Sequence, residues 1–257
     1  MYQYLQIFYE TNILTPSQIR DGWLKHIYIE EENYLWVSNQ RAFDLMLEGF
    51  EPPETSNPEK NEFYDMIDAQ LTTEIFGLFS PTKPEFAIEM SRLPIQTTAR
   101  DEAQEIAEFY VRMYSNASNT KNLKSIKEKM FWLASESRAK LNNNLYPSKM
   151  YDYIKGLYDS GIKWEQTRDS IYYRYQVNQK DEYNITSKNL YCNGCYAAGI
   201  NFASSLVSLF YGQGNLKETI KIGTLAGWDS DNPTSTWGGL IGFIIGREMV
   251  EKEFNMK

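Results

Sequence analysis

Two carboxylates stand one residue apart in the stretch AGWDSDNPTSTWGG, residues 226 to 239. At this spacing Asp229 and Asp231 can point the same way from an extended turn, while Ser230 and Asn232 offer neutral oxygens beside them. Hard cations such as Mg2+, Mn2+ or Ca2+ take oxygen ligands of this kind. An EF-hand does not fit, because Pro233 and Thr234 stand where its loop wants a further acidic or amide ligand and then glycine. The same residues also read more plainly, as an acidic first turn that complements a helix dipole.

Other residues able to do chemistry are few. Cys192 and Cys195 form a lone CNGC, which could be half a zinc site or a redox pair. Zinc needs four ligands, however, and His26, the only histidine, is far away in sequence. The plain reading is two small residues near the start of a buried helix. A single histidine also argues against Ser/His or Cys/His nucleophilic catalysis, which needs an imidazole base held by a third group.

Composition narrows the partners. At 257 residues and 42 % hydrophobic, the chain is long enough to bury a sizeable core. A formal charge of -8 argues against a nucleic-acid partner, whose phosphates call for Lys and Arg. The opening MYQYLQIFYE lacks a basic leader and carries Glu10, so it does not read as a signal peptide, and the cytoplasm is the expected location. The longest apolar run, near Trp237 to Ile245, is about half the roughly 20 residues that cross a bilayer, so no membrane partner is expected.

The elements that must position these residues are helical. In DEAQEIAEFYVRMY, Ala103, Ile106, Ala107, Tyr110, Val111 and Tyr114 lay one apolar stripe along a helix. Further helices are expected at about 2 to 12, 16 to 28, 38 to 49, 60 to 79, 122 to 142, 148 to 159, 196 to 211, 216 to 225 and 234 to 252. Thr15 followed by Pro16 marks one start, and Asn232 followed by Pro233 another. Gly238, Gly242 and Gly246 would then fall on one helix face and let a neighbour approach closely. Loops fall at EGFEPPETSNPEKN, SPTKPE and VNQKDEYNITSKN. Ile171, Tyr173, Tyr175 and Val177 alternate as in a strand, but one such run makes no sheet. The expectation is an all-α globule, a compact orthogonal helical bundle forming one domain over residues 1–257.

The run NLKETIKIGTLAGWDSDNPTSTWGGLIGFIIG resembles the terminal motif of the ADP-ribosylglycohydrolase family, a helix, then GGDTDT, then a helix of small residues. AGINFASSLVSLFYGQGN is similar to the helix that precedes it. IDAQLTTEIFGLFSPTKPEFAIEMSRLPIQTTARDEAQEIAEFYVRMYSNAS is similar to the family's central region, so the resemblance spans most of the chain.

That resemblance implies an all-α enzyme using two Mg2+ or Mn2+ ions to hydrolyse the bond between ADP-ribose and a modified protein side chain or related acceptor. The implied partner is an ADP-ribosylated protein or an ADP-ribose-containing small molecule. Asp229 and Asp231 would be metal ligands and catalytic, with Asn232 where the family's second threonine completes the set. Asp68, Gln70, Thr73 and Glu74 in IDAQLTTE fall on a helix that lines the family's cleft, though they read equally as a polar stripe. Asn201 in GINFASS would line the site or hydrogen-bond a neighbouring loop. Trp228 is a candidate adenine platform and Ser230 a further substrate contact. Two departures stand out. The family's acidic TDDT-like block and an upstream glutamate are absent, so the expectation is a domain lacking the family's N-terminal segment, or a relative that binds ADP-ribose or a nucleotide with impaired catalysis. In QTTARDEA, Ala99 and Arg100 stand where many relatives carry a His-Gly pair.

Overall fold

The apolar stripe of DEAQEIAEFYVRMY becomes the inner face of a central helix. The computed structural model describes residues 10, 14–28, 35–184, 192 and 194–256. In it Ala103, Ile106, Ala107, Tyr110, Val111 and Tyr114 are all buried. They lie on α6 (Asp101–Asn116), preceded by α1 (Pro16–His26), α2 (Val37–Leu47), α3 (Asp68–Thr73), α4 (Ile75–Phe79) and α5 (Pro84–Ile95). After it come α7 (Ile126–Arg138), α8 (Tyr146–Asp159), α9 (Trp164–Ile171), a π-helical turn over Tyr172–Val177, α10 (Ala198–Gly212), α11 (Leu216–Ala226), α12 (Asp231–Ile245) and α13 (Arg247–Glu253). Among the described residues there is no strand, only an isolated bridge between Met66 and Ala197. The fold is all-α. No helix among these residues is long and apolar enough to cross a membrane.

Two helices organise the rest. α6 packs against α3, α4, α5 and α7, and α10 against α8, α9, α11 and α12. Every residue of α10 except Tyr211 is buried, as expected of a helix surrounded by others. Where the two meet, Phe109 and Phe202 pack edge to face at 5.1 Å, and Tyr110 lies 5.3 Å from Trp237 of α12. The polar tips of these rings are satisfied across helices. The Trp237 indole N–H donates to the Ser205 carbonyl at 2.8 Å, Tyr110 Oη pairs with Ser205 Oγ at 2.6 Å, and Tyr114 Oη donates to the Thr236 carbonyl at 2.7 Å. The start of α12 is thereby fixed relative to α6 and α10.

Local signals set several boundaries. Thr15 caps α1 with a complete capping box: Gln18 N–H donates to Thr15 Oγ1 at 3.3 Å, and Thr15 N–H to Gln18 Oε1 at 2.9 Å. Ser125 and Glu128 do the same for α7, with bonds of 3.1 and 3.0 Å.

Other expectations are corrected. The helix expected over 60 to 79 forms only from Asp68, because the backbone just before it bonds elsewhere: Ile67 N–H donates to Tyr196 O at 3.0 Å and Asp65 O accepts from Ala198 N–H at 2.8 Å. α5 begins inside the expected SPTKPE loop, with Pro84 at its first turn, and runs on through residues for which no element is expected, closing just past Pro94. α9 was likewise not anticipated, and the alternating run after it is helical, burying only Tyr175 of its tyrosines. α12 begins at Asp231 with Ser230 at the N-cap, so Asn232 is inside the first turn rather than capping it. Pro233 remains tolerable there because first-turn N–H groups have no helical partner.

The helix expected through residue 252 is broken at Gly246, whose φ of +84° lies in the left-handed region. The close approach expected at Gly238 and Gly242 is also not there: a Cβ at either would meet its nearest neighbour at 3.7 and 3.5 Å, ordinary contact. Close approaches occur at other glycines: a Cβ at Gly77 of α4 would collide with Val111 O and Tyr114 Cβ, one at Gly212 of α10 with Thr219, and one at Gly239 of α12 would fall 2.9 Å from Tyr114 Oη. Cys192 and Cys195, read as two small residues, form a disulfide. The helix expected at about 2 to 12 lies outside the described residues apart from Glu10, as does the end of the loop at VNQKDEYNITSKN.

Candidate active site

α11 ends at Ala226, and the chain reverses through two residues with positive φ, Gly227 at +99° and Trp228 at +56°. Asp229 follows at once and Asp231 opens α12. The turn is anchored from below: Asp229 N–H donates to Asn201 Oδ1 at 3.1 Å, while Asn201 Nδ2 donates to the carbonyls of Cys195 at 2.6 Å and Ala197 at 2.9 Å. Asn201 is completely buried, and these bonds use both ends of its amide. Its buried position in α10 is thus explained by a structural bond to the Asp229 loop.

The carboxyl of Asp229 is half-buried and lies within hydrogen-bonding reach of Asp231. Burial raises its pKa first, followed by the hydrogen bond and negative charge of Asp231 and then the charge of Asp68, together pushing it up to about 7. Two like charges in contact do not both ionise readily, so this pair retains a proton near neutrality. Asp231 itself is exposed. Beside it Asn232 is 1 % exposed, and neither Nδ2 nor Oδ1 has a hydrogen-bond partner. A buried amide with both ends unmet costs stability and is a group waiting for a ligand or ion.

Asp68 stands at the first position of α3 and is buried. Ser38 Oγ donates to its Oδ2, and Asn39 Nδ2 to its Oδ1 at 2.6 Å. Burial nevertheless dominates and raises its pKa. Neither Ser38 nor Asn39 stood out in the sequence: both open α2, and only the folded chain brings them to a residue about thirty positions on.

The remaining expected contacts fall in different settings. Gln70 is buried with both side-chain polar atoms unpartnered. Thr73 Oγ1 donates back to Ala69 O at 2.8 Å, and Thr73 and Glu74 line a cavity of about 710 Å3 whose walls include Trp23, Leu71 and Ile75. Asn39 lines the same cavity, so the cavity adjoins the group that holds Asp68. Glu74 Oε1 accepts from Thr236 Oγ1 at 2.5 Å; burial lifts the carboxyl to about 7 despite that bond and the nearby Tyr114 hydroxyl. Trp228 is partly buried against the core and its Nε1–H donates to Gln176 Oε1 at 2.5 Å, so its polar edge is engaged. Ser230 is half-buried, and its carbonyl accepts from Thr234 Oγ1 at 3.2 Å. Arg100 serves the scaffold, donating to Pro53 O at 2.9 Å and Ser56 Oγ at 3.0 Å.

The fold thus gathers Asp229, Asp231 and Asn232 on one turn, Asn201 beneath them, and Asp68 close enough for its charge to act on Asp229. Two carboxyls in contact are the kind of oxygen donors a hard divalent cation takes, and the next residue, Asn232, carries an amide without a partner. Among the described residues no three His, Cys, Asp or Glu side chains converge as a metal-binding group. In comparison with known proteins, residues 9–254 match the family model described as ADP-ribosylglycohydrolase. No curated protein and no solved structure matches the chain.

Proposed function

The chain belongs to the ADP-ribosylglycohydrolase family, and from that premise we propose that it is a metal-dependent hydrolase of the bond between ADP-ribose and a modified protein side chain or related acceptor. The observation that carries this reading is the Asp229–Asp231 contact beside the unpartnered Asn232 amide. Asp229, Asp231 and Asn232 would hold Mg2+ or Mn2+, which supplies Lewis-acid polarisation and orientation of ribose hydroxyls when bound. Charge supports the need for an ion. The pyrophosphate of ADP-ribose is anionic, and the charges acting on Asp229 are both negative.

The chain's own residues supply the rest. Asn201 holds the backbone N–H of Asp229, which restrains the loop position from which its carboxyl projects. With an ion in place of the shared proton, the two carboxylates would help orient a water at the anomeric carbon, and one of them would assist its deprotonation. Asp68, Gln70, Thr73, Trp228 and Ser230 are the proposed substrate contacts. Of these, Gln70 has both an unused donor and an unused acceptor.

A second reading, binding of ADP-ribose or a nucleotide without hydrolysis, is favoured by Asp68. Each of its two oxygens accepts a hydrogen bond, from Ser38 and Asn39, and among the described residues no third His, Cys, Asp or Glu joins Asp229 and Asp231 as a metal-binding group. Incubation with an ADP-ribosylated peptide and Mg2+ separates the two. Hydrolysis releases ADP-ribose and is abolished in Asp231→Ala, whereas equal turnover in that variant would sink the assignment. Saturable binding with no released product would establish the second reading.

A further inference from the structure

The turn closed by the Cys192–Cys195 disulfide lies where the supports of the acidic site converge. Tyr196 O and Ala198 N–H bond the loop that leads into Asp68, at 3.0 and 2.8 Å. The Tyr196 ring lies 5.0 Å from Trp36, the residue just before α2, whose Ser38 and Asn39 hold the Asp68 carboxyl. Cys195 O accepts from Asn201 Nδ2, and Asn201 Oδ1 accepts from Asp229 N–H. An amide has a fixed geometry, so fastening Nδ2 to Cys195 and Ala197 aims Oδ1 at Asp229.

Two features make this turn responsive rather than inert. Cys192 has a φ of +57°, a left-handed conformation that an L-residue holds only against a steric cost, and Gly194 follows at +77°. Cys192 is also exposed, whereas Asn201 is completely buried. An external thiol can therefore reach a bond whose mechanical effect is delivered inside.

We propose that the Cys192–Cys195 disulfide is a redox-sensitive clamp that positions Asp229 through Asn201. The co-reactant is a small or protein dithiol. One of its thiolates attacks Sγ of Cys192, the Sγ–Sγ bond breaks, and Cys195 leaves as a thiolate that takes up a proton. The second thiol of the reductant then displaces Cys192 and closes its own disulfide. Two electrons and two protons pass to the cysteines. Released from the crosslink, Cys192 leaves the left-handed region, the Cys195 carbonyl drifts from Asn201, and the Asp229 N–H loses its fixed acceptor. Asn201 and the cysteine pair are positioning residues, and only the functional consequence rests on the reading of Asp229 as a site residue.

Amide hydrogen exchange on the whole chain, oxidised and then reduced with dithiothreitol, reads the clamp directly and needs no activity. The expected result is about fivefold or faster exchange over residues 227 to 231 on reduction, with α6 unchanged. The double variant Cys192→Ser, Cys195→Ser should show the faster exchange and ignore dithiothreitol. Unchanged protection at 227 to 231 would overturn the proposal. Loosening of α6 to the same degree would overturn it too, since the bond would then stabilise the whole fold and not the site. If the chain hydrolyses ADP-ribosylated peptide, reduction should lower kcat with little change in KM. If it does not, the proposed activity fails while the exchange result still decides the clamp.

Discussion

Replacing Glu74 by glutamine should make the protein more stable above neutral pH and leave it unchanged in acid. Glu74 lies at the junction of α3 and α4, where burial raises its carboxyl from 4.5 to about 7 even though Thr236 donates to Oε1. The folded chain therefore keeps this proton at pH values where the unfolded chain has lost it. Between those two pKa values the unfolded state binds fewer protons, so stability falls as pH rises from about 4.5 to about 7 and levels off above. At 1.36 kcal/mol per pH unit, the gap is worth roughly 3 kcal/mol. Glutamine keeps an acceptor for Thr236 and carries no charge, so Glu74→Gln removes the loss. Urea denaturation of both proteins from pH 4 to pH 8.5 should give coincident stabilities at the acid end and a variant ahead by roughly 2–3 kcal/mol at the alkaline end. A difference that does not change with pH would mean that no proton is linked to Glu74 on folding.

Three other perturbations probe the scaffold and the site. Asp231→Asn removes the like charge beside Asp229, so a carbon-detected carboxyl titration should move Asp229 below about 7 while burial keeps it above 3.8; no movement would mean the two carboxyls are not in contact. Gly77→Ala pushes a Cβ into Val111 O and Tyr114 Cβ, and backbone cannot rotate aside. It should cost roughly 1–3 kcal/mol or more in thermal unfolding, and an unchanged Tm would deny the close crossing of α4 and α6. Ser125→Ala leaves the first turn of α7 without its cap and should cost about 1 kcal/mol, a loss that chemical denaturation can resolve.

The parts legible in the sequence were those set by local periodicity or local chemistry. The stripe of α6 and the Thr15–Pro16 start of α1 follow from residues within one or two turns of each other. Expectations failed where distant residues decide. Residues 60 to 67 are not helical because their backbone bonds segment 196 to 198, and nothing within 60 to 79 announces that. The spacing of Gly238, Gly242 and Gly246 points to one close face, yet the close approaches are at Gly77, Gly212 and Gly239, decided by residues on neighbouring helices such as Val111, Thr219 and Tyr114. At the site, Asp229, Asp231 and Asn232 were visible because they are adjacent in sequence. Ser38 and Asn39 were not, since only folding carries them to Asp68. The cysteine pair was discounted for want of further metal ligands, a test that weighs zinc and says little about a disulfide.

On the proposed function, the turn at Asp229 would hold a cation that ADP-ribose binding requires. Calorimetric titration of ADP-ribose into the chain, with and without Mg2+, beside Asp229→Ala, tests it most directly. Heat should appear only with Mg2+ and vanish in the variant. Equal heat in the variant, or none from folded wild-type protein in Mg2+, would contradict it and leave Asp229 and Asp231 as the acidic first turn of a structural helix.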